Sequence, residues 1–230
     1  MPIKILSWNI WIDNHFAEVK DFLQHADADI LGLQEVRDDD PTRDTIKFLV
    51  SMGYSYVFAP ITMSWDGKTW SFGPAIFTKH PIISKSTYFL TEKEDRRSLV
   101  QADIELGNRV VHIFCTHLTH THQQNSGVQL QQAREVLAHI PGHDSILMGD
   151  FNAIPTSTTI RAVKETLVDA DPNNLPTWSV YPEGCEDCNP QQIDIRLDYI
   201  FTTSDIKTNS YQVESSKGSD HLPISVVAKL

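Results

Sequence analysis

Residues 145–152 read Ser145-Ile146-Leu147-Met148-Gly149-Asp150-Phe151-Asn152, a short apolar run that stops abruptly on a glycine, a carboxylate and an amide. Runs of this length bounded by polar residues predict buried strands. The pattern recurs outward in both directions. Upstream, Ile3 to Trp8 ends on Asn9, Ile30 to Leu33 on Gln34-Glu35, and Val110 to Cys115 on Thr116-His117. Further strands are read over Tyr54 to Ala59, Ala75 to Phe77 and Val100 to Leu106, and downstream over Leu197 to Phe201 and Leu222 to Ala228. Helical spacing joins Phe16, Val19, Phe22 and Leu23; Ile46, Leu49 and Val50 before Gly53; and Val128, Leu130, Ala133, Val136 and Leu137 before Pro141. Many strands with few helices predict a layered α/β sandwich.

The 230 residues carry no repeat, low-complexity tract or Gly/Ser linker, so one domain spanning 1–230 and a monomer are expected. Lys and Arg number 19 against 30 Asp and Glu, a net charge of −11 that excludes a general basic duplex binder. It leaves room for a phosphate ester drawn by a cation held among carboxylates. The Cys115, Cys185 and Cys188 set is too small and too odd for a disulfide framework. With no apolar run of membrane length and no signal segment, a cytoplasmic protein without integral membrane association is expected.

The strand endings are the chemically distinctive feature. Should Glu35, Asp150, Asp198 and Asp220 converge on one rim, each pair of carboxylates about 5 Å apart would repel by about 3 kcal/mol at an effective dielectric of 20. A cation relieves this, and oxygen ligands with an Asn amide suit Mg²⁺ or Mn²⁺.

Asn9 in SWNIW, Glu35 in LQEV, His117 in THL, Asp150 and Asn152 in GDFN, Asp198 in RLDYIF and Asp220-His221 in SDHLP stand in the order seen in the endonuclease/exonuclease/phosphatase superfamily, which the chain resembles from residue 9 to 221. The resemblance implies an α/β (α+β) protein: a DNase I-like four-layer α/β/β/α sandwich of two mixed sheets packed face to face. It implies an enzyme, a metal-dependent phosphodiesterase or nuclease-type hydrolase using Mg²⁺ or Mn²⁺. Glu35 is then the principal metal ligand, with Asn9 and Asp220 beside it. Asp150, helped by Asn152, orients or deprotonates the attacking water. His221, steered by Asp198, bonds a phosphoryl oxygen, and His117 stabilises the transition state or protonates the leaving oxygen. Where the deoxyribonuclease branch has a carboxylate partner for the first His, this chain reads Phe72-Gly73-Pro74.

Phosphate-ester substrates are expected, with a nucleic-acid single strand, end or small nucleotide first and a phospholipid head group or inositol phosphate second. Arg97 is read as a phosphate clamp, Arg96 as solvated, and Arg196 as pairing with Asp198 or a neighbouring acid. Trp178, Trp65, Trp70 and Phe151 are candidates for an aromatic wall, Trp178 foremost. Ile61 to Trp70 is read as a Trp-bearing loop, His120 and His122 as loop residues beside the cleft, and Cys185 with Cys188 as a loop pair. A non-catalytic binding module is the weakest reading, since every position of the pattern is filled.

Overall fold

The computed structural model describes residues 2–65, 67–91, 96–181 and 192–229. Among these, strands β1 (Pro2–Asn9), β2 (Ile30–Arg37), β3 (Ser55–Phe58), β4 (Ile61–Trp65), β5 (Lys68–Thr78), β12 (Lys207–Val213) and β13 (Ile224–Lys229) form a seven-stranded sheet. Its order is β12-β13-β1-β2-β5-β3, with β4 paired to β5. A six-stranded sheet orders as β10-β11-β9-β8-β7-β6. Its members are β6 (Ile82–Leu90), β7 (Arg97–Leu106), β8 (Arg109–His117), β9 (Ser145–Asp150), β10 (Val168–Asp169) and β11 (Asp198–Thr202). Helices α1 (Phe16–His25) and α2 (Thr45–Ser51) cover the first sheet, and α3 (Gly127–His139) and α4 (Thr158–Lys164) the second.

Period-two alternation builds the four layers. In β1, Ile3 and Ile5 enter the core between the sheets, while Leu6 and Trp8 pack with Val19 and Leu23 of α1. In β9, Ile146 and Met148 face inward, and Leu147 packs outward with Ala133 and Val136 of α3. Residues i and i+2 share a face, so the inward rows of β1, β8 and β9 run out on Asn9, His117 and Asp150.

Register brings these ends to one rim. Strands β8 and β9 are parallel with His117 opposite Asp150, and β11 runs antiparallel to β9 with Asp198 opposite Asp150. Strands β1 and β2 are parallel with Asn9 opposite Gln34, and β13 runs antiparallel to β1, so the segment before it carries Asp220 and His221 to the same end. Glu35 needs a local exception, since simple alternation after inward Gln34 would send it outward, to the face on which Leu33 and Val36 pack. The pairing of β2 with β5 slips between Leu33 and Val36, and Glu35 takes φ +59°. The bulge re-aims its carboxylate.

The four-layer sandwich matches expectation, and three details differ from it. Ile61–Trp65 and the residues from Lys68 to Trp70 pair as strands β4 and β5 and are not a loop. Strands β6 and β12 were not foreseen because they are sheet edges whose alternation is broken by Ser, Lys, Thr and Asn. Helix α4, started by the Ser157 hydroxyl accepting from Ile160 N, is too short to show a clear stripe. Cys185 and Cys188 lie outside the described residues.

Gly149 shows how tightly the rim is built. It sits at φ +151°, and a Cβ there would run into the Thr116 carbonyl oxygen of the neighbouring strand. Gly149→Ala is expected to lower stability by about 1–3 kcal/mol, read as a drop in the denaturant midpoint at unchanged slope.

Candidate active site

The rim surrounds a cleft of about 270 Å³ lined by Asn9, Glu35, Arg97, His117, Asp150, Asn152, Trp178, Asp220 and His221, together with Trp11, Ile12, Met63, Phe72 and His120. Asp198 lies behind His221, whose Nδ1 is 2.9 Å from Asp198 Oδ2. The structure thus brings the candidate catalytic and metal-ligating residues, with Arg97 and Trp178, to one place. Asn9 ties the sheets together: its Nδ2 donates to Glu35 Oε1 at 3.1 Å and to Asp150 Oδ2 at 3.0 Å, while its Oδ1 accepts from Trp11 N at 3.0 Å. Asp150 Oδ1 accepts the Asn152 backbone N–H at 2.8 Å. The Asn152 amide nitrogen lies 3.0 Å from His117 Nε2. Phe72 lines the cleft wall.

Two imidazoles face Asp150 Oδ2, His117 Nε2 at 3.4 Å and His221 Nε2 at 3.6 Å, and their environments drive them apart. Burial, with Arg97 and His221 nearby, holds His117 well below the ordinary imidazole value, so it is neutral. Burial opposes charge on His221 too, but Asp198, Asp150 and Asp220 outweigh it and hold His221 well above that value, so it is an imidazolium. Thr177 Oγ1 donates to Asp198 Oδ2 at 2.6 Å, and Trp8 Nε1 donates to the His221 carbonyl at 2.8 Å. This buried dyad orients His221 Nε2 toward the cleft.

The acids bear the cost of crowding. Burial and the Asp220 carboxylate push Glu35 up to about 7, and burial raises Asp150 against the lowering effect of His221. Acids held this far above their usual range are what an added cation relieves, and the oxygen donors of Glu35, Asp220 and Asn9 suit a hard one. Asp150, Asp198 and His221 form a buried group of metal-binding composition, with donor atoms within 4.8 Å of one another. Asp198 Oδ2 and His221 Nδ1 are spent on each other, and Asp198 lies behind His221, so the cleft oxygens are the better cation seat.

Some of the remaining readings change and others hold. Trp178 lines the cleft, but its Nε1 donates to Asp220 Oδ2 at 3.0 Å, so it also holds a carboxylate. Trp70 is not a cleft residue and stacks against Arg37 at 4.8 Å; Phe151 is core, edge-on to Tyr199 and Phe201. The Trp65 side chain is outside the description. Arg196 pairs with Asp169, at 2.9 and 2.7 Å, and with no carboxylate oxygen of Asp198. Arg96 lies over the exposed Phe89 ring. Ile12 had no recognisable signal, because its place beside Trp11 depends on a turn with positive φ at Trp11, Ile12 and Asp13.

With this geometry, a model of the Endonuclease/Exonuclease/phosphatase family matches residues 6–221. The chain belongs to that family. It is a hydrolase of the phosphoesterase class on a DNase I-like sandwich. Similar solved structures include an endonuclease/exonuclease/phosphatase from Beutenbergia cavernae, 22% identical over 100% of this chain and 72% of that one, TM-score 0.78. D. rerio TDP2 complexed with single strand DNA product is 18% identical over 100% and 99% of the two chains, TM-score 0.72. ANGEL2, a 2′,3′-cyclic phosphatase, is 18% identical over 99% and 95%, TM-score 0.72. No curated protein matches the sequence. Among the described residues no helix is long and apolar enough to cross a membrane.

The positive-φ turn has its own anchor. Asp13 is buried, its Oδ1 accepts from Thr45 Oγ1 at 2.8 Å, and burial pushes its pKa up to about 7. A folded value above the unfolded 3.8 means that the folded state holds the proton more tightly. Stability from this group is full below about pH 4 and lost as pH rises through about 7. Asp13→Asn, which keeps an acceptor for Thr45 without the charge, is expected to raise the melting temperature at pH 8 by an amount reflecting up to about 4 kcal/mol, and to change it little at pH 4. An equal shift at both values would contradict the assignment.

Proposed function

We propose that the cleft hydrolyses phosphodiester bonds with Mg²⁺ or Mn²⁺, nucleic acid or a nucleotide being the first substrate class. The observation that carries this is the pairing on one wall of a carboxylate, Asp150, with an imidazolium, His221, whose other nitrogen is held by buried Asp198. Glu35, with Asn9 and Asp220, would hold the cation. When bound, it offsets the repulsion of the acids and polarises the phosphoryl group.

The chain's own groups then divide the work. Asp150 Oδ1 is committed to the Asn152 N–H, which leaves Oδ2, steadied by Asn9, to orient the attacking water and take its proton. Asn152 adds its amide at 3.4 Å from the same Oδ2. His221 donates from Nε2 to a non-bridging phosphoryl oxygen as negative charge builds there. Neutral His117 receives the Asn152 amide and presents a polar edge to the transition state. The buried Arg97 supplies a guanidinium for a substrate phosphate, and Trp178 closes the wall beside Asp220. The single-strand DNA product in TDP2 and the 2′,3′-cyclic phosphate chemistry of ANGEL2 support a nucleic-acid substrate on this scaffold.

Turnover of bis-p-nitrophenyl phosphate that needs Mg²⁺ and stops with EDTA tests the reading; no turnover under either condition would end it. Asp150→Asn and His221→Ala should each lower kcat by at least ~10² in folded protein. Glu35→Ala should raise the Mg²⁺ concentration giving half activity, and an unchanged requirement would remove Glu35 from the ligand set. A panel of single-stranded DNA, abasic duplex, RNA, sphingomyelin and inositol phosphates separates the substrate classes; preference for either lipid-derived class would overturn the nucleic-acid assignment.

A further inference from the structure

Acceptors at one end and a donor at the other orient the Asn152 side chain. Its nitrogen is 3.1 Å from the Leu118 carbonyl oxygen and 3.4 Å from Asp150 Oδ2. A carbonyl and a carboxylate only accept, so the NH₂ end must face them and the carbonyl end must face away. The backbone cannot swing to change this. Asn152 sits at φ +48°, and Gln129 Nε2 grips its carbonyl oxygen at 2.9 Å. What remains free is rotation of the amide itself.

At its other end, Asn152 Oδ1 lies 2.9 Å from Nδ1 of His120. An amide oxygen can only accept, so the proton of this bond belongs to His120 Nδ1. Burial keeps His120 below the ordinary imidazole value despite that bond, so the ring is neutral and its Nε2 carries a lone pair. His122 Nδ1 stands 3.3 Å from that Nε2, and the two rings meet edge to face at 4.6 Å. A chain of single-valued hydrogen bonds therefore runs from His122 through His120 to Asn152. Without the His120 donor, the amide is held at its nitrogen end alone and can tilt its hydrogens away from Asp150 Oδ2 and His117 Nε2 toward the Leu118 carbonyl oxygen.

We propose that His120 is a positioning residue: its Nδ1–H locks the Asn152 amide with the hydrogens toward Asp150 and His117, and His122 holds the His120 tautomer. The role in turnover rests on the reading of Asp150 as the group that handles the attacking water.

Nitrogen-15 NMR of the imidazoles tests the bond without any turnover. His120 should show the neutral tautomer protonated at Nδ1 in the wild type and lose it in Asn152→Ala; a wild-type His120 protonated at Nε2 alone overturns the proposal. A correct tautomer in a protein with no phosphodiesterase activity would strike the hydrolase reading and leave the lock standing. Kinetics supplies the second arm, with bis-p-nitrophenyl phosphate and Mg²⁺. His120→Ala should lower kcat at least about tenfold with KM within about twofold. His120→Asn, whose amide N–H replaces Nδ1–H, should recover most of it. In an Asn152→Ala background His120→Ala should cost nothing further. A further tenfold loss in that background, or no rescue by Asn in a variant melting like wild type, would overturn the lock.

Discussion

Repulsion among buried carboxylates is the constraint around which this protein is arranged. Glu35, Asp150 and Asp220 share a small cleft in which burial and proximity drive Glu35 up to about 7. Such a cluster persists only where each oxygen is offset, and the surroundings do this with dipoles and one positive charge. Asn9 offers its amide to two of the acids at once, Trp178 donates to the third, and His221 supplies the cation of the wall. The same arrangement that makes the cleft uncomfortable without an ion makes it receptive to one, and through it to a phosphate ester.

The sandwich exists to bring those groups together. Neither sheet contains the cleft. The first contributes Asn9 and Glu35, and the second contributes His117, Asp150 and Asp198, each row ending where the apolar layer between sheets runs out. The inner core, from Ile5 and Ile76 to Ile113, Met148 and Ile200, therefore sets the distance across which the two halves meet. Rigidity at this level lets hydrogen bonds such as Asn9 to Asp150, spanning 141 positions of chain, keep a definite length.

Similar side chains end in unlike states because of their partners. His117 and His221 both face Asp150 Oδ2, yet one is neutral beside Arg97 and an amide while the other is charged against Asp198. Sequence order carries no trace of this difference. The same holds for Asn152, whose amide direction follows from the acceptors around it and from His120, and for Trp178, whose indole serves a carboxylate before it can serve a ligand.

By itself the sequence determined the α/β layering and the identity of the polar residues at the strand ends, because alternation and abrupt polar termination are local and recur in several core strands. It hid the edge strands β6 and β12 and the short α4, where little apolar surface is buried and the pattern is correspondingly faint. Only tertiary structure decided that the β2 bulge turns Glu35 inward, that Trp11, Ile12, Met63 and Phe72 wall the cleft, and that Arg196 serves Asp169. Those outcomes depend on register between strands and on charges brought close from distant parts of the chain, quantities that exist only once the two sheets have met.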